Sequence, residues 1–363
     1  MTPPLRLLHV VESFSTGTLQ AVRTLCQMLN GAAVCHVLHG CRDEGDGARP
    51  EGFPTTVSFL PWSVGREISP RQDYQALQQL REIVLRLNPD LIHAHSSKAG
   101  ALVRLAFPTG GRRIVYSPHS YAFLRRDVSG LVRNFYWLVE WLLGRLPHIT
   151  VACGLAEYGL AHQVSRRVVL IPNVVDLPAF TRNISIEKGG LCIGTLGGIR
   201  PQKNFPLFCA IAAACEDSGM RFCWIGGGTI PPDLTLPNNL TVTGWLDHAS
   251  ALNRLSACDV YLQTSQWEGL SLAVLEGMAL GLPILATPAP GNVELVIEGY
   301  NGYLCDTAAD FVTRLQALAA DRSTVESLGA ASRRLTEQSF TTEQMAPRWN
   351  SLYHHYSRYQ CYG

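Results

Sequence analysis

Cys258-Asp259-Val260-Tyr261-Leu262-Gln263-Thr264-Ser265 is a short, mostly apolar run that reads as a buried strand. Trp267-Glu268-Gly269-Leu270-Ser271-Leu272-Ala273-Val274-Leu275-Glu276-Gly277-Met278-Ala279 follows it as a loop entering a helix. Gly281-Leu282-Pro283 stops that helix, and Ile284-Leu285-Ala286-Thr287 is the next buried strand. A strand, a helix and a second apolar strand at this spacing place parallel strands in a sheet covered on both faces. The fold class is therefore α/β.

Outward from this segment the pattern repeats. In the amino-terminal half strands are expected at Leu5–Val11, Val34–His39, Thr56–Leu60, Asp90–His95, Arg113–Ser117 and Ile149–Ala152. Helices are expected at Leu19–Leu29, Tyr74–Leu87 and Leu131–Leu146, with Asn88-Pro89 ending the second. Residues 13–18 read as a turn and the polar run 40–52 as a surface loop. Ile171-Pro172-Asn173-Val174-Val175-Asp176 looks like a hinge, after which the alternation restarts. Strands follow at Leu191–Leu196, Phe222–Ile225, Leu240–Thr243 and Gly302–Cys305, and helices at Phe205–Glu216, Ala249–Ser256 and within 309–338. A chain of 363 residues suits two domains, 1–173 and 174–340, each doubly wound and the two facing a central cleft.

Composition narrows the class further. An apolar fraction of 47% and a charged fraction of 16% describe a packed globular chain. The net charge of +1 hides an asymmetry: residues 1–173 hold 18 Lys/Arg against 12 Asp/Glu, and the remainder 12 against 17. A basic first half fits an anionic partner, such as a phosphorylated acceptor or a membrane surface, but also fits ordinary drift of surface charge. Eleven cysteines with no Cys-x-x-Cys spacing, several in apolar runs (Cys192, Cys209, Cys223, Cys258), read as reduced core thiols. The amino terminus lacks a signal-peptide core and no window has the ~20 apolar residues of a spanning helix, so the expected location is the cytoplasm. Hydrolase elbow, zinc-protease helix and Walker loop are all missing, and no nucleic-acid partner is expected.

The quoted segment also carries the chemistry. Glu268 stands in a loop at the carboxyl end of a strand, and Glu276 lies within the helix that follows. The amides of Gly269, Leu270 and Ser271 open that helix, an anion site made of N–H donors and the helix dipole. A carboxylate beside such a site is suited to neutral hydroxyls, as a sugar or ribose offers, and the combination points to a nucleotide-sugar. Gly194-Thr195-Leu196-Gly197-Gly198-Ile199-Arg200-Pro201-Gln202-Lys203-Asn204 adds glycines at a strand end and two cations three residues apart. Arg200 and Lys203 suit a pyrophosphate clamp; the other reading is a tight turn with two solvated cations. Ile225-Gly226-Gly227-Gly228 repeats the glycine-bearing strand end, and the Ser15-Thr16-Gly17-Thr18 loop resembles it without a full dinucleotide fingerprint.

Histidines read more plainly. His93 and His95 alternate on a strand, so both face one side, but spacing nominates no third metal ligand and no metal is expected. His119 lies in a loop after a strand, a position more often structural than catalytic. Leu131–Leu143, rich in aromatic and aliphatic residues with Arg125, Arg126 and Arg133 nearby, reads either as a helix covering the sheet or as a membrane-surface element.

Together these segments resemble the family 4 retaining glycosyltransferases of the GT-B fold, especially bacterial enzymes building cell-surface polysaccharides such as lipopolysaccharide. His9–Phe14, Asp90–Gly100, Tyr116–Phe123, Ile171–Asp176 and Gly194–Asn204 are similar to family motifs, and Glu268–Glu276 matches the Glu-x7-Glu signature. The resemblance implies that Arg200 and Lys203 bind the donor pyrophosphate and that Glu276 holds the ribose. It implies that Glu268, with the amides of Gly269, Leu270 and Ser271, contacts donor sugar and phosphate. His119 would sit beside the donor sugar near the reacting carbon, the loop of Gly17 and Thr18 would close over the diphosphate, and Gly198 and Gly227 would belong to the donor site. The final helix, around Gln344–Tyr356 within 341–363, would cross back onto the first domain. One departure stands out: Thr287-Pro288-Ala289-Pro290-Gly291-Asn292-Val293-Glu294 has a single glycine where members often have two.

The implied reaction moves a hexosyl or N-acetylhexosaminyl group from a nucleoside diphosphate, by family habit UDP, to a hydroxyl of a saccharide or lipid-diphosphate-linked saccharide. It implies retention, no metal and no cofactor, with peripheral contact at the inner membrane face. Two other readings of the same residues are a nucleotide-sugar epimerase on this fold and a non-catalytic nucleotide-sugar-binding subunit.

Overall fold

The computed structural model describes residues 4–14, 16–40, 51–65, 67–109, 111–178 and 190–358. The loop expected over 40–52 falls, but for its ends, outside them. The chain divides into two compact units, residues 1–173 with 342–363, and residues 174–341.

Among the described residues the first unit has seven parallel strands: β1 (Leu5–Val11), β2 (Ala33–His39), β3 (Ser58–Pro61), β4 (Leu91–His95), β5 (Ile114–Ser117), β6 (Ile149–Ala152) and β7 (Val168–Leu170). Their order is β3-β2-β1-β4-β5-β6-β7. The second unit has six, β8 (Cys192–Leu196), β9 (Arg221–Ile225), β10 (Leu240–Val242), β11 (Val260–Gln263), β12 (Ile284–Ala286) and β13 (Gly302–Leu304). Here the order is β10-β9-β8-β11-β12-β13. Each sheet reverses its winding beside its first strand, between β1 and β4 and between β8 and β11. Ligands of such sheets bind outside the carboxyl ends at that reversal, beside the residues that follow Val11, His95, Leu196 and Gln263.

Local chemistry explains the elements. Helix Pro70–Leu87 opens with proline in its first turn and ends on Asn88 in the left-handed conformation, with Pro89 beyond. Its buried Ala76, Leu80, Ile83 and Val84 follow helical spacing and pack in one core with Leu8, Val10, Ile92 and Tyr116. In the second unit Phe205 and Phe208 meet Trp224 edge to face, 4.8 and 5.2 Å between ring centres.

Among the described residues, helices Ser97–Ala106, Leu155–Val164 and Pro290–Leu295 and strand β7 were not foreseen. Ser97–Ala106 lacks a clear apolar stripe because it packs through small residues. A Cβ on Gly100 would lie 2.3 Å from the Tyr116 ring. Its buried Arg104 is neutralised by Glu140, Nη2 to Oε2 2.8 Å, and lies 4.2 Å over the Tyr116 ring, whose hydroxyl donates to Glu140 at 2.8 Å.

Two expectations are corrected. The turn over 13–18 ends early: a helix runs Thr16–Met28, so Gly17 and Thr18 occupy its first turn, where glycine and threonine tolerate the helix start, and Ser15 lies outside the described residues. Helix Gly130–Leu143 buries only Glu140 and Leu143. Instead of covering the sheet with its aromatic face, it exposes Leu131, Phe135, Leu138 and Leu142, spaced as one helical stripe. At the hinge, Val175 donates its N–H to Phe340 O at 3.0 Å, tying the start of the second unit to its end.

The last helix, Thr342–Arg358, belongs to the first unit. Arg348 donates to Leu170 O at 3.1 Å, and the Tyr353 hydroxyl lies 2.7 Å from His93 Nδ1. Among the described residues no helix is long and apolar enough to cross a membrane.

Candidate functional site

In the second unit the carboxyl ends of β8, β9 and β11 gather the Glu-x7-Glu segment and the Arg200–Lys203 turn. Glu268, nearly buried, is the centre. Its Oε1 accepts from Lys203 Nζ at 2.7 Å, Ser265 Oγ at 2.7 Å and Gln263 Nε2 at 3.0 Å, and its Oε2 accepts from Gln202 Nε2 at 3.3 Å. Expected as a sugar contact, Glu268 here is engaged by four protein donors and fixes the Lys203 ammonium at the strand ends. The hydrogen bond from Tyr261 OH to Gln263 Oε1, 2.9 Å, orients the amide that reaches Glu268. Neither Gln263 nor Gln202 stood out in the sequence, because amides three-dimensionally close to a carboxylate leave no spacing signal.

Ser271 caps helix Leu272–Ala279, its Oγ accepting from Val274 N at 3.4 Å. Leu270 is buried beneath that helix start. Glu276 lies one turn along, and its Oε1 is 2.7 Å from His248 Nε2. His248, first residue of helix His248–Ser256, is a partner sequence reasoning missed; it lies 28 positions from Glu276 in an unremarkable polar stretch.

The glycines hold the strand-end loops against one another. Ile199 N donates to Gly227 O at 2.8 Å, and Trp224 Nε1 to Gly197 O at 2.8 Å. A Cβ at Gly198 or Gly227 would lie 2.8 or 2.6 Å from the Trp245 ring. Trp245 thus rests on a glycine bed beside Arg200 while remaining 55% exposed, and it too was missed. The single glycine of the 287–294 loop is where one is required: a Cβ on Gly291 would stand 1.4 Å from Gly269 O, so helix Pro290–Leu295 seats directly on the Glu268 loop.

The first unit's reversal point is different. His9, His93 and His95 are fully buried, and one ring nitrogen of each lies within 4.8 Å of the others. His9 is the third histidine that linear spacing could not nominate; parallel pairing of β1 with β4 sets it opposite His93. All of these ring nitrogens but His9 Nε2 are committed to hydrogen bonds. His93 Nδ1 and Nε2 meet Tyr353 OH at 2.7 Å and Ser117 Oγ at 2.9 Å. His95 Nε2 and Nδ1 meet His9 Nδ1 and His119 Nε2, both at 3.0 Å. Burial pushes the His93 and His95 rings well below the usual imidazole range and His119 to about 4, so His119 is neutral near pH 7. His119 and Ser120 are in the left-handed region, φ 51° and 85°, with the Ser120 amide donating to Glu157 Oε1 at 2.7 Å. Gly17, in the first turn of helix Thr16–Met28, has open space around it.

Comparison with known proteins gives this geometry a setting. The family described as Glycosyltransferase Family 4 matches residues 16–178, and Glycosyl transferases group 1 matches residues 188–321, between them most of the chain. The Escherichia coli UDP-Gal:alpha-D-GlcNAc-diphosphoundecaprenol alpha-1,3-galactosyltransferase is 28% identical over 276 residues, 68% of this chain and 70% of that protein. Arabidopsis thaliana sulfoquinovosyl transferase is 26% identical over 350 residues, 87% of this chain and 66% of that protein. Among solved structures, sucrose-phosphate synthase from Thermosynechococcus elongatus superposes with a TM-score of 0.81 at 18% identity, covering 96% of this chain and 98% of that one. Anabaena HepE in complex with UDP and glucose gives 0.76 at 16% identity, covering 95% and 98%.

Proposed function

We propose, for a chain that belongs to the family 4 glycosyltransferases and has their GT-B fold, a retaining, metal-independent transfer from a UDP-sugar to a saccharide hydroxyl. The observation that carries the reading is the Glu268–Lys203 pair set between a capped helix start and the Arg200 turn. Lys203 and Arg200 offset the charge that develops on the departing diphosphate, which is the largest demand such a transfer makes on the protein. Glu276, held by His248, is placed to accept from ribose hydroxyls, and the exposed face of Trp245 suits stacking by the base. His119 is assigned to a hydroxyl of the reacting sugar, and the start of helix Thr16–Met28 at Gly17 and Thr18 to the diphosphate. The acceptor hydroxyl passes its proton to the leaving phosphate oxygen, since no other base is assigned.

UDP is preferred because the E. coli relative is named for a UDP-galactose reaction and the HepE structure holds UDP. A lipid-diphosphate-linked acceptor in cell-surface polysaccharide synthesis is supported by that same relative. The exposed apolar stripe Leu131, Phe135, Leu138, Leu142, with the exposed Arg126 and Arg133, suits peripheral contact with an anionic membrane face.

The test is a thermal-shift titration with UDP-, GDP-, ADP- and dTDP-sugars, repeated with Glu276→Ala and Trp245→Ala, followed by transfer assays on lipid-diphosphate saccharides. A shift specific to UDP-sugars, persisting in chelator and lost in Glu276→Ala, is expected. Trp245→Ala should weaken UDP by roughly 1 kcal/mol, about fivefold. Inversion of a sugar hydroxyl in the donor without acceptor would instead make the protein an epimerase, and binding with no turnover a non-catalytic subunit.

A further inference from the structure

Three histidines from three separate strands or loops make one unbranched line of hydrogen bonds: His9 Nδ1 to His95 Nε2, 3.0 Å, and His95 Nδ1 to His119 Nε2, 3.0 Å. The His95 and His119 rings are nearly coplanar, 8° apart. Each contact between two imidazole nitrogens holds a single proton, so choosing the position of one proton fixes the other. Only two registers exist. In one, every ring donates toward His119 and His119 carries its proton on Nδ1. In the other, every ring donates toward His9 and His119 has a bare Nδ1.

The inner end of the line decides between them. His9 Nε2 is buried and makes no hydrogen bond among the described residues. The second register would put a proton on that nitrogen, leaving an orphaned N–H in the core. Orphaned buried donors are rarer than under-used acceptors because they forfeit a full hydrogen bond to water. We propose that His9 and His95 form a proton-ordered line that locks His119 as its Nδ1–H tautomer, making His95 a positioning residue for the ring that faces the sugar. Its catalytic consequence rests on the role given to His119 above; its tautomer consequence does not.

An Nδ1–H is a donor, suited to a sugar hydroxyl or ring oxygen that must be held without taking its proton. The opposite tautomer would offer a base. The proposal therefore excludes His119 as the group that deprotonates the acceptor.

The test is long-range 1H–15N NMR of the full chain labelled in its histidines, with His119 assigned by its loss in His119→Gln. The expected result is a protonated Nδ1 and a pyridine-type Nε2 for His119 in the wild type. A protonated Nε2 overturns the proposal, and this measurement needs no variant. In His95→Leu the fixed tautomer should be lost and kcat should fall about 10–100-fold, the range seen when an outer partner of a functional histidine is removed, with donor KM little changed. His95→Asn puts an amide N–H where Nδ1–H stood and should restore both tautomer and most of the rate. Rescue fails if His95 merely fills space. A correct tautomer that disappears in His95→Leu with kcat untouched would leave the proton ordering standing and remove His119 from the reaction.

Discussion

The two sheets wind alike and reverse at the same place, yet they fill that place with opposite chemistry. At the ends of β1 and β4 stand buried imidazoles bonded to one another and to Tyr353 and Ser117. At the ends of β8 and β11 stand charges, Lys203 on Glu268 and Glu276 on His248. A doubly wound sheet thus supplies a location rather than a chemistry. The second unit's strand ends hold a fixed cation on a carboxylate, and the first unit's hold buried rings bonded to one another.

The sharpest way to break this contrast is to put an unpaired charge into the first unit's interior. Glu140→Ala leaves Arg104, which has no exposed surface, without its carboxylate. The loss of a partner from a buried pair costs about 3–5 kcal/mol, to be read from urea unfolding. An unchanged midpoint would mean Arg104 finds another anion or water. In the second unit the matching change is Lys203→Ala. Glu268 keeps its donors Gln202, Gln263 and Ser265, so folding should survive. The cost should fall on kcat, by about 10²–10³-fold, as when one preorganised donor to a developing anion is removed. A change confined to KM would show that Lys203 holds the ground state equally well.

The gentlest probe is pH. His119 is held neutral with its pKa near 4, and His93 and His95 lie lower than usual for the same reason. Unfolded, these rings take up protons from about pH 6.5 downward. Between about 6.5 and 4 the unfolded chain therefore binds more protons than the folded one, and stability rises with pH across that window. Melting temperature should fall on acidifying from 6.5 toward 4, and less steeply in His119→Gln. An equal slope in both proteins would remove His119 from the acid response.

Strand positions were legible because buried parallel strands are continuous apolar runs; Ile149–Ala152 was read to the residue, and β1 likewise. Pro290–Leu295 was not, because a six-residue helix seated on Gly269 through Gly291 has no periodicity to display. The short edge strand Val168–Leu170 was lost for the same reason. Within the candidate site, Arg200, Lys203, Glu268, Ser271 and Glu276 announced themselves through spacing and glycines. Trp245, His248 and Gln263 did not, since nothing local distinguishes an ordinary polar or aromatic residue until another strand end is brought beside it.

By itself the sequence determined the α/β class, the restart of the pattern near Asn173, and the carboxylates and cations that crowd the second unit's strand ends. These follow from short-range rules: apolar periodicity, proline and glycine punctuation, and charge at a helix start. Only the tertiary structure decided what those charges do. It turned Glu268 into the holder of Lys203, made His9 the third ring of a line with His95 and His119, and brought Tyr353 back across 260 positions to His93. Those contacts depend on register between strands far apart in the chain, which hydrogen-bond pairing in the folded sheet sets and linear spacing does not.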